Sequence, residues 1–244
     1  MAGAKKTELI EIKPIEIEEA KVRIRGTSPL IMHAWSVKAK REILEKELNI
    51  TKVKGRDKKN PFEDFCSSMY WLTKMPEEFT DEAVGEALEG ARFGFPVTAF
   101  KQAAISAAYR MGWTKDKMSI RGTFFIKPDA DGYYAGDLRI SPDHKRIDII
   151  PNVFTPMSLV EIHSDTPVMR EDMVVVGGMS RSADVRYRGQ FNNWYADLTI
   201  QYNKNGQYTI EQILNFINAG GFTNGVGEMR AERDGQYGAF TIEI

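Results

Sequence analysis

The stretch YADLTIQYNKNGQYTIEQILNFINAGGFTNGVGEMRAERDGQYGAFTIEI, residues 195–244, decides the fold. Its start, residues 195–202, alternates apolar and polar side chains as a half-buried strand does. After the turn NKNG, Thr209 is a candidate N-cap for an amphipathic helix, which we expect Gly220 and Gly221 to end. A glycine-rich loop then leads into the alternating residues AFTIEI. The stretch therefore predicts a strand, a helix, a long loop and a final strand.

Upstream segments supply more elements of both kinds. Residues 21–35, KVRIRGTSPLIMHAW, predict a strand that breaks at Gly26 and Pro29. Residues 98–109, TAFKQAAISAAY, predict an alanine-rich helix capped by Thr98, whose small side chains favour close packing on a sheet. Two further helices are predicted over residues 36–48 and residues 80–89. Strand-like runs lie at residues 120–126, 137–140, 147–150 and 173–176. The fold class predicted is α+β.

Composition indicates where in the cell we expect the protein to be. The chain has 244 residues, a net charge of −1 and one cysteine, Cys66, so neither a disulfide within the chain nor a cysteine zinc site is possible. The first twenty residues are charged throughout, and no run approaches the ~18 apolar residues of a membrane span. We therefore expect a cytoplasmic protein that is neither secreted nor embedded in a membrane.

Charge is distributed unevenly along the chain. Between residues 36 and 60 there are nine Lys or Arg against four acids, a local charge of +5. Lys38, Lys40 and Arg41 belong to this basic stretch, and residues 77–90 carry six acids and no basic residue. The two stretches are either solvated faces or, for the basic one, a contact to nucleic acid.

The glycine-rich loop is a candidate phosphate site. Gly225 and Gly227 leave the backbone uncrowded, while Arg230 and Arg233 add fixed positive charge. Backbone N–H groups in such loops can form anion-binding nests, and Arg binds phosphate through two parallel hydrogen bonds. The alternative is a hairpin-like connection with glycines at its turns. A nucleotide P-loop is excluded because no Gly-Lys-Ser/Thr ends the loop, and the loop follows a helix.

Three segments resemble the RAMP superfamily of CRISPR proteins, which includes guide-RNA backbone subunits and guide-processing ribonucleases. The family's first strand is similar to KVRIRGTSPL at residues 21–30. Its helix start is similar to FPVTAFKQAAISAAYR at residues 95–110, where Lys101 occupies a position that is commonly close to the RNA backbone. NAGGFTNGVGEMRAERDGQYGAFTI at residues 218–242 resembles its glycine-rich loop and last strand.

The resemblance implies an RRM-like (ferredoxin-like) fold, with an antiparallel sheet and two packing helices. One such domain would span residues 1–244. It would carry a basic, aromatic and acidic helical insertion at residues 36–92 and a β-rich insertion at residues 120–190. Sheets of this kind bind single strands.

Arginines alternate with aromatic residues before the last predicted unit. In MSRSADVRYRGQFNNWY, Arg186 and Arg188 flank Tyr187, and Phe191 follows. Such a mixture can neutralise phosphate and stack bases. The alternative is an ordinary amphipathic strand with its arginines outside and its rings inside.

Catalysis has one weak candidate, His33 in SPLIMHAW. Metal-independent ribonucleases of the family use a histidine as general acid or base, although a lone histidine among apolar neighbours is more often packed in the core, as we interpret this one. Members of the family that cut target RNA tend to place an aspartate in the loop after the first strand. Residues 30–40 contain no Asp or Glu, so the resemblance does not imply that activity here. We expect no metal and no cofactor.

The sequence thus predicts a single-stranded nucleic-acid-binding protein, with RNA favoured over DNA, that coats the strand in several self-associating copies without catalysis. Lys101, Arg186 or Arg188 and the loop at residues 225–227 should then line one groove. The alternatives are a phage protein that binds or anneals single-stranded DNA, a metal-independent endoribonuclease and a structural assembly protein.

Overall fold

The computed structural model describes residues 14–50, 59–176 and 182–243. Within these ranges, the strands are β1 (Ile17–Gly26), β2 (Leu30–Ile31), β3 (Tyr70–Trp71), β4 (Phe93–Pro96), β5 (Phe124–Lys127), β6 (Ala130–Ile140), β7 (Ile147–Ile162), β8 (Val168–Val176), β9 (Ser182–Phe191), β10 (Tyr195–Asn203) and β11 (Phe240–Glu243). The helices are α1 (Val37–Glu47), α2 (Pro61–Ser67), α3 (Asp81–Leu88), α4 (Val97–Arg110), α5 (Met118–Arg121) and α6 (Ile210–Thr223). The predicted α+β class is confirmed.

A four-stranded sheet organises the molecule, in the order β11-β1-β10-β5, and all neighbouring strands are antiparallel. Its strands alternate as the sequence indicates: in β1, Ile24 is buried between the exposed Arg23 and Arg25. The buried face shares one core with α4 and α6, through residues such as Phe100 and Ile217. The opposite face carries charged side chains.

The predicted unit at the C-terminus is present as β10, α6, the glycine loop and β11. The predicted end of the helix, at Gly220 and Gly221, is wrong. Gly220 and Gly221 lie inside α6, which continues to Thr223. A Cβ on Gly220 would stand 2.7 Å from backbone atoms of Ala103 and Ala104, and one on Gly221 would overlap the carbonyl of Phe240. The two glycines therefore let α6 approach α4 and β11 closely.

Helix starts agree with the sequence where a side chain can cap them. Ser36 caps α1, Thr80 caps α3, and Thr209 forms a full capping box with Gln212 at the start of α6. Thr98 does not cap α4, which begins one residue earlier, at Val97, after Pro96. Pro96 takes the N-cap position and its side chain has no hydrogen-bond acceptor, so this helix begins without a side-chain cap.

Two smaller β-structures complete the fold. One is a three-stranded sheet in the order β2-β9-β8, and the other is a closed ring formed by β3, β4, β7 and β6. The strand predicted over residues 120–126 is shorter, because α5 replaces its first part. Oδ1 of Asp116 accepts the backbone N–H of Ser119 at 2.8 Å, which favours a helical turn there. Among the helices of the described residues, none is long and apolar enough to cross a membrane.

Candidate functional site

A cleft of ≈ 280 Å³ lies where three distant segments meet: the residues after β2, the start of α4 and the glycine loop. Its polar lining comes from His33, Thr98, Gln102, Glu228, Arg230 and Glu232. Its apolar lining includes Tyr70, Phe95, Pro96 and Val226. The cleft therefore combines fixed charges, hydrogen-bonding groups and rings.

The glycine loop is fixed by its own backbone. The N–H of Val226 donates to the carbonyl of Gly238 at 2.9 Å, the N–H of Glu228 to Ile31 at 2.9 Å, and the N–H of Gly238 to Pro29 at 2.8 Å. These N–H groups are therefore engaged within the protein instead of forming the anion nest that the glycine pattern favours.

The glycines are needed for this tight path. Gly225 and Gly227 have φ of +66° and +79°, in the left-handed region, and a Cβ on Gly227 would lie 2.5 Å from the carbonyl oxygen of Ile31. The loop thereby contributes to the cleft mainly by presenting the side chains of Glu228 and Arg230.

His33 faces the cleft and pairs with Glu228. Its Nδ1 lies 3.1 Å from Oε1 of Glu228, and the two side chains are 39% and 40% exposed. A carboxylate only accepts hydrogen bonds, so Nδ1 is the donor. The packed position expected for His33 is therefore corrected: in the extended segment after β2, Met32 and Ala34 turn into the core and His33 turns out.

Glu228 is surrounded by positive charge. The hydrogen bond from His33 lowers the pKa of this carboxyl group below its ordinary value, and the charges of Arg188 and Arg230 act in the same direction against partial burial. The cluster of His33, Glu228, Arg188 and Arg230 thus holds three of the residues predicted from sequence around one carboxylate.

Arg230 lies along the wall of the cleft. Its Nη1 donates to the carbonyl of Gly227 at 3.0 Å, and its Nη2 donates to Oε2 of Glu232 at 3.0 Å. Oε1 of Glu232 in turn lies 3.4 Å from Nη2 of Arg110, at the end of α4. Arg233 is exposed on the adjoining 3₁₀ turn.

Arg188 is buried, unlike either role proposed for it from sequence. It is 6% exposed, and its Nη1 lies 3.3 Å from Oδ2 of Asp172, whose Oδ1 accepts Nε of Arg170 at 2.7 Å. Its Nε has no hydrogen-bond partner among the described residues. The two arginines oppose each other across β8 and β9. Asp172 holds both, since an unpaired buried guanidinium would be costly.

The other predicted contacts lie elsewhere. Lys101 is on a different side of α4, where its Nζ stands 3.9 Å from the ring centroid of Phe125 and burial lowers its pKa. Arg186 is 2.8 Å from Asp184 and does not line the cleft. Phe191 is buried, and Tyr187 lies on the opposite face of β9 from Arg186 and Arg188. Only part of the single groove expected from sequence is therefore present.

Four of the nine basic residues between residues 36 and 60 lie on α1, and four others, Lys52, Lys54, Arg56 and Lys58, lie outside the described residues. This helix carries Lys38, Lys40 and Arg41 and buries none of its residues. Arg41 has its Nε 3.6 Å from Oε1 of Glu45. Just before α1, Trp35 is 63% exposed, two residues from His33.

Sequence reasoning missed Glu228, Glu232, Gln102 and Trp35. The two acids stand in GVGEMRAERD, directly beside the glycines and arginines of the predicted phosphate site. Their proximity to Arg230 was the available indication. Within residues 14–50, 59–176 and 182–243, no three His, Cys, Asp or Glu side chains cluster as metal ligands would.

No protein-family model matches the chain, and no curated protein matches it either. Among solved structures, it is similar to the crystal structure of Cmr6 from Pyrococcus furiosus, with 11% sequence identity and a TM-score of 0.32. That similarity covers 94% of this chain and 100% of the other. At this TM-score the similarity says nothing about the cleft.

Proposed function

We propose that the protein binds single-stranded nucleic acid, with RNA favoured over DNA, in the cleft and without catalysis. The observation that carries the proposal is the meeting of three sequence-distant segments around that cleft. Arg230 and the exposed Arg233 supply positive charge, while Tyr70 lines the cleft and the exposed Trp35 lies two residues from His33. Charge together with rings is the combination that single strands require.

The strand order supports an RRM-like core as part of the proposal. β1, α4 and β5 form one strand–helix–strand unit, and β10, α6 and β11 form the second. In the sheet, the strands of the second unit lie beside those of the first, in the order β11-β1-β10-β5. The other two β-structures and α1 to α3 would then be insertions into this core.

The resemblance to RAMP proteins supports the same location. The three segments that carry it supply Pro29 and Leu30 beneath the loop, Pro96 and Thr98 at the cleft, and the GVGEMR run itself. Coating of a strand by several copies is part of the proposal.

RNA is favoured because the cleft has acceptors that a 2′-hydroxyl could use. The amide oxygen of Gln102, the hydroxyl of Thr98 and the carboxylate of Glu228 all line it. The 2′-hydroxyl is the group that distinguishes RNA from DNA at a binding site.

Arg230→Ala with Arg233→Ala tests the proposal. Fluorescence anisotropy with labelled single-stranded RNA and DNA, measured over a range of salt, should show weaker binding. The slope of log affinity against log salt should fall by about 1, because at least one phosphate contact is lost.

Arg92→Ala is a control for the loss of an arginine outside the cleft. Arg92 directly precedes β4 and is also paired with a carboxylate, that of Glu161 on β7. It should leave affinity and salt slope unchanged. Equal affinity and slope in the Arg230/Arg233 variant and the wild type would refute the proposal.

A metal-independent endoribonuclease is the second candidate, favoured by the pairing of His33 and Glu228. The carboxylate orients the imidazole so that Nε2 is left to exchange a proton. Labelled RNA incubated with the protein and a chelator tests this. We expect no cleavage by the wild type or by His33→Ala. Cleavage that disappears in His33→Ala would instead establish the enzyme.

A further inference from the structure

The outer face of α4 continues away from the cleft. Thr98 and Gln102 line the cleft, and Ser106 and Tyr109 follow on the same helical face at intervals of three and four residues. The path from Thr98 to Tyr109 is ~16 Å long at the rise of an α-helix. It ends at Tyr109 and Trp113, which are 47% and 46% exposed.

Trp113 is held in place while half of its surface stays open. Its ring centroid lies 5.9 Å from that of Phe216 on α6, with a tilt of 31° between the planes. Nζ of Lys117 stands 5.6 Å from the ring centroid of Tyr109 and 3.5 Å from Oγ of Ser106. Lys117 and Tyr109 therefore share one short stretch of surface, and Trp113 follows Tyr109 by four residues along the chain.

This surface is positively charged. Residues 109–121 contain four basic side chains against one acid, Asp116. Oδ1 of Asp116 accepts the N–H of Ser119, so this carboxylate also serves the local backbone. The basic side chains are Arg110, Lys115, Lys117 and Arg121. Exposed rings among cations suit a nucleic-acid strand better than an apolar protein partner.

We propose that a single strand leaving the cleft runs along the outer face of α4 and stacks its bases on Tyr109 and Trp113. Arg110 and Lys117 contact its phosphates. Continuity with the cleft is given by Glu232, which lines the cleft and lies 3.4 Å from Arg110. This inference rests on the proposed function, and it adds a second contact that only longer strands reach.

The test compares oligonucleotides of two lengths with the double variant Tyr109→Ala/Trp113→Ala. A strand of about four nucleotides fills only the cleft, and one of about twelve also reaches the rings, given site sizes of about 4–16 nucleotides for such grooves. The double variant should bind the long strand about tenfold or more weakly, since each stacked ring contributes to affinity, and the short strand equally well.

Phe154→Ala is the matched control, because Phe154 is also 46% exposed but packs against Tyr134 on the β6 and β7 hairpin. Trp113→Phe keeps a ring and should keep most of the affinity for the long strand. This second variant separates stacking from a loss of folding.

Intrinsic fluorescence gives an independent readout. Trp71 and Trp194 are fully buried, so in the Trp35→Phe variant Trp113 is the exposed indole among the described residues. The long strand should quench its emission, and the short strand should not.

Failures of the two proposals look different. If no strand of either length binds the wild type, the proposed function fails and this inference with it. If both strands bind but the double variant matches the wild type, the cleft remains and the inference about α4 is overturned. A change of oligomeric state in the double variant, with unchanged long-strand affinity, would assign the rings to a protein contact and also overturn it.

Discussion

Glu228 illustrates how a single residue ties the cleft together. Its carboxylate accepts from His33 and lies within the field of Arg188 and Arg230, so one negative charge is shared by an imidazole and two guanidinium groups. Arg188 is itself paired with Asp172 behind the cleft. The charge that a phosphate would meet there is therefore set by a network of ion pairs. The number of arginines alone does not predict that charge.

The lowered pKa of Glu228 predicts an acid-dependent loss of stability. A carboxyl group whose pKa is lower in the folded state stabilises the fold above the unfolded pKa of about 4.3. That contribution disappears as pH falls through the lower, folded-state value. In Glu228→Gln, the free energy of unfolding should therefore change less between about pH 5 and pH 3 than in the wild type.

Urea unfolding at the two pH values checks this prediction. Glu171→Gln, an exposed carboxylate on β8, is the control and should behave like the wild type. A Glu228→Gln variant with the wild-type pH dependence would show that the interaction with His33 is not a feature of the folded state.

At the scale of elements, helix caps separate what local sequence determines from what packing determines. Thr209 donates and accepts in a complete capping box, through N–H of Gln212 to Oγ1 at 3.4 Å and its own N–H to Oε1 of Gln212 at 3.0 Å. Thr98 sits inside α4 and caps nothing. Both residues looked alike in sequence.

Thr209→Ala should therefore lower the free energy of unfolding by about 1 kcal/mol, the usual cost of losing an N-cap. Thr98→Ala should change it by less than about 0.5 kcal/mol, because it removes no cap. Denaturant unfolding of the two variants measures the difference. Equal destabilisation by both would contradict the assignment of the caps.

The contrast between local sequence and packing also explains how much of the fold the sequence could predict. β1, β10, β11, α3 and α6 follow from side-chain period and caps, which are local. The continuation of α6 through Gly220 and Gly221 was missed because the partners of those glycines, α4 and β11, are distant in sequence.

The residues of the candidate site likewise fall into those that local sequence could predict and those whose position depends on distant contacts. The glycine loop, Arg230 and His33 could be found as candidates, and they do line one cleft. The burial of Arg188 could not be predicted from the sequence, because it depends on the pairing of β8 with β9, which brings Arg170 and Asp172 beside it. The displacement of Lys101 from the cleft likewise depends on where Phe125 lies.

At the scale of the whole molecule, two surfaces are candidates to hold the proposed strand: the cleft beside the helices and the open face of the four-stranded sheet. The open face borders a depression of ≈ 770 Å³. Its side chains are joined across strands, with Arg23 2.7 Å from Asp197, Arg25 3.0 Å from Glu243 and Lys127 3.1 Å from Glu19. Its charges therefore largely neutralise one another.

The ring of Tyr195 on the open face is also occupied. Tyr195 is stacked on His163 with centroids 4.7 Å apart, and the guanidinium of Arg23 covers it at 4.4 Å. In the RRM-like fold that we propose for this sheet, single strands usually stack their bases on aromatic residues of this face. A strand here would have to displace these contacts, so the sheet favours the cleft as the binding surface.

We accordingly expect Lys21→Ala combined with Arg25→Ala, on the open face, to leave RNA affinity and its salt slope unchanged. Both side chains are exposed, and neither lines the cleft. Anisotropy titrations alongside the Arg230/Arg233 variant provide the comparison, because each double variant removes two positive charges and the net charge changes equally. A loss of affinity in both variants would indicate that net charge alone drives binding. A loss confined to the Lys21/Arg25 variant would move the binding surface to the sheet, whereas a loss confined to the Arg230/Arg233 variant locates it at the cleft.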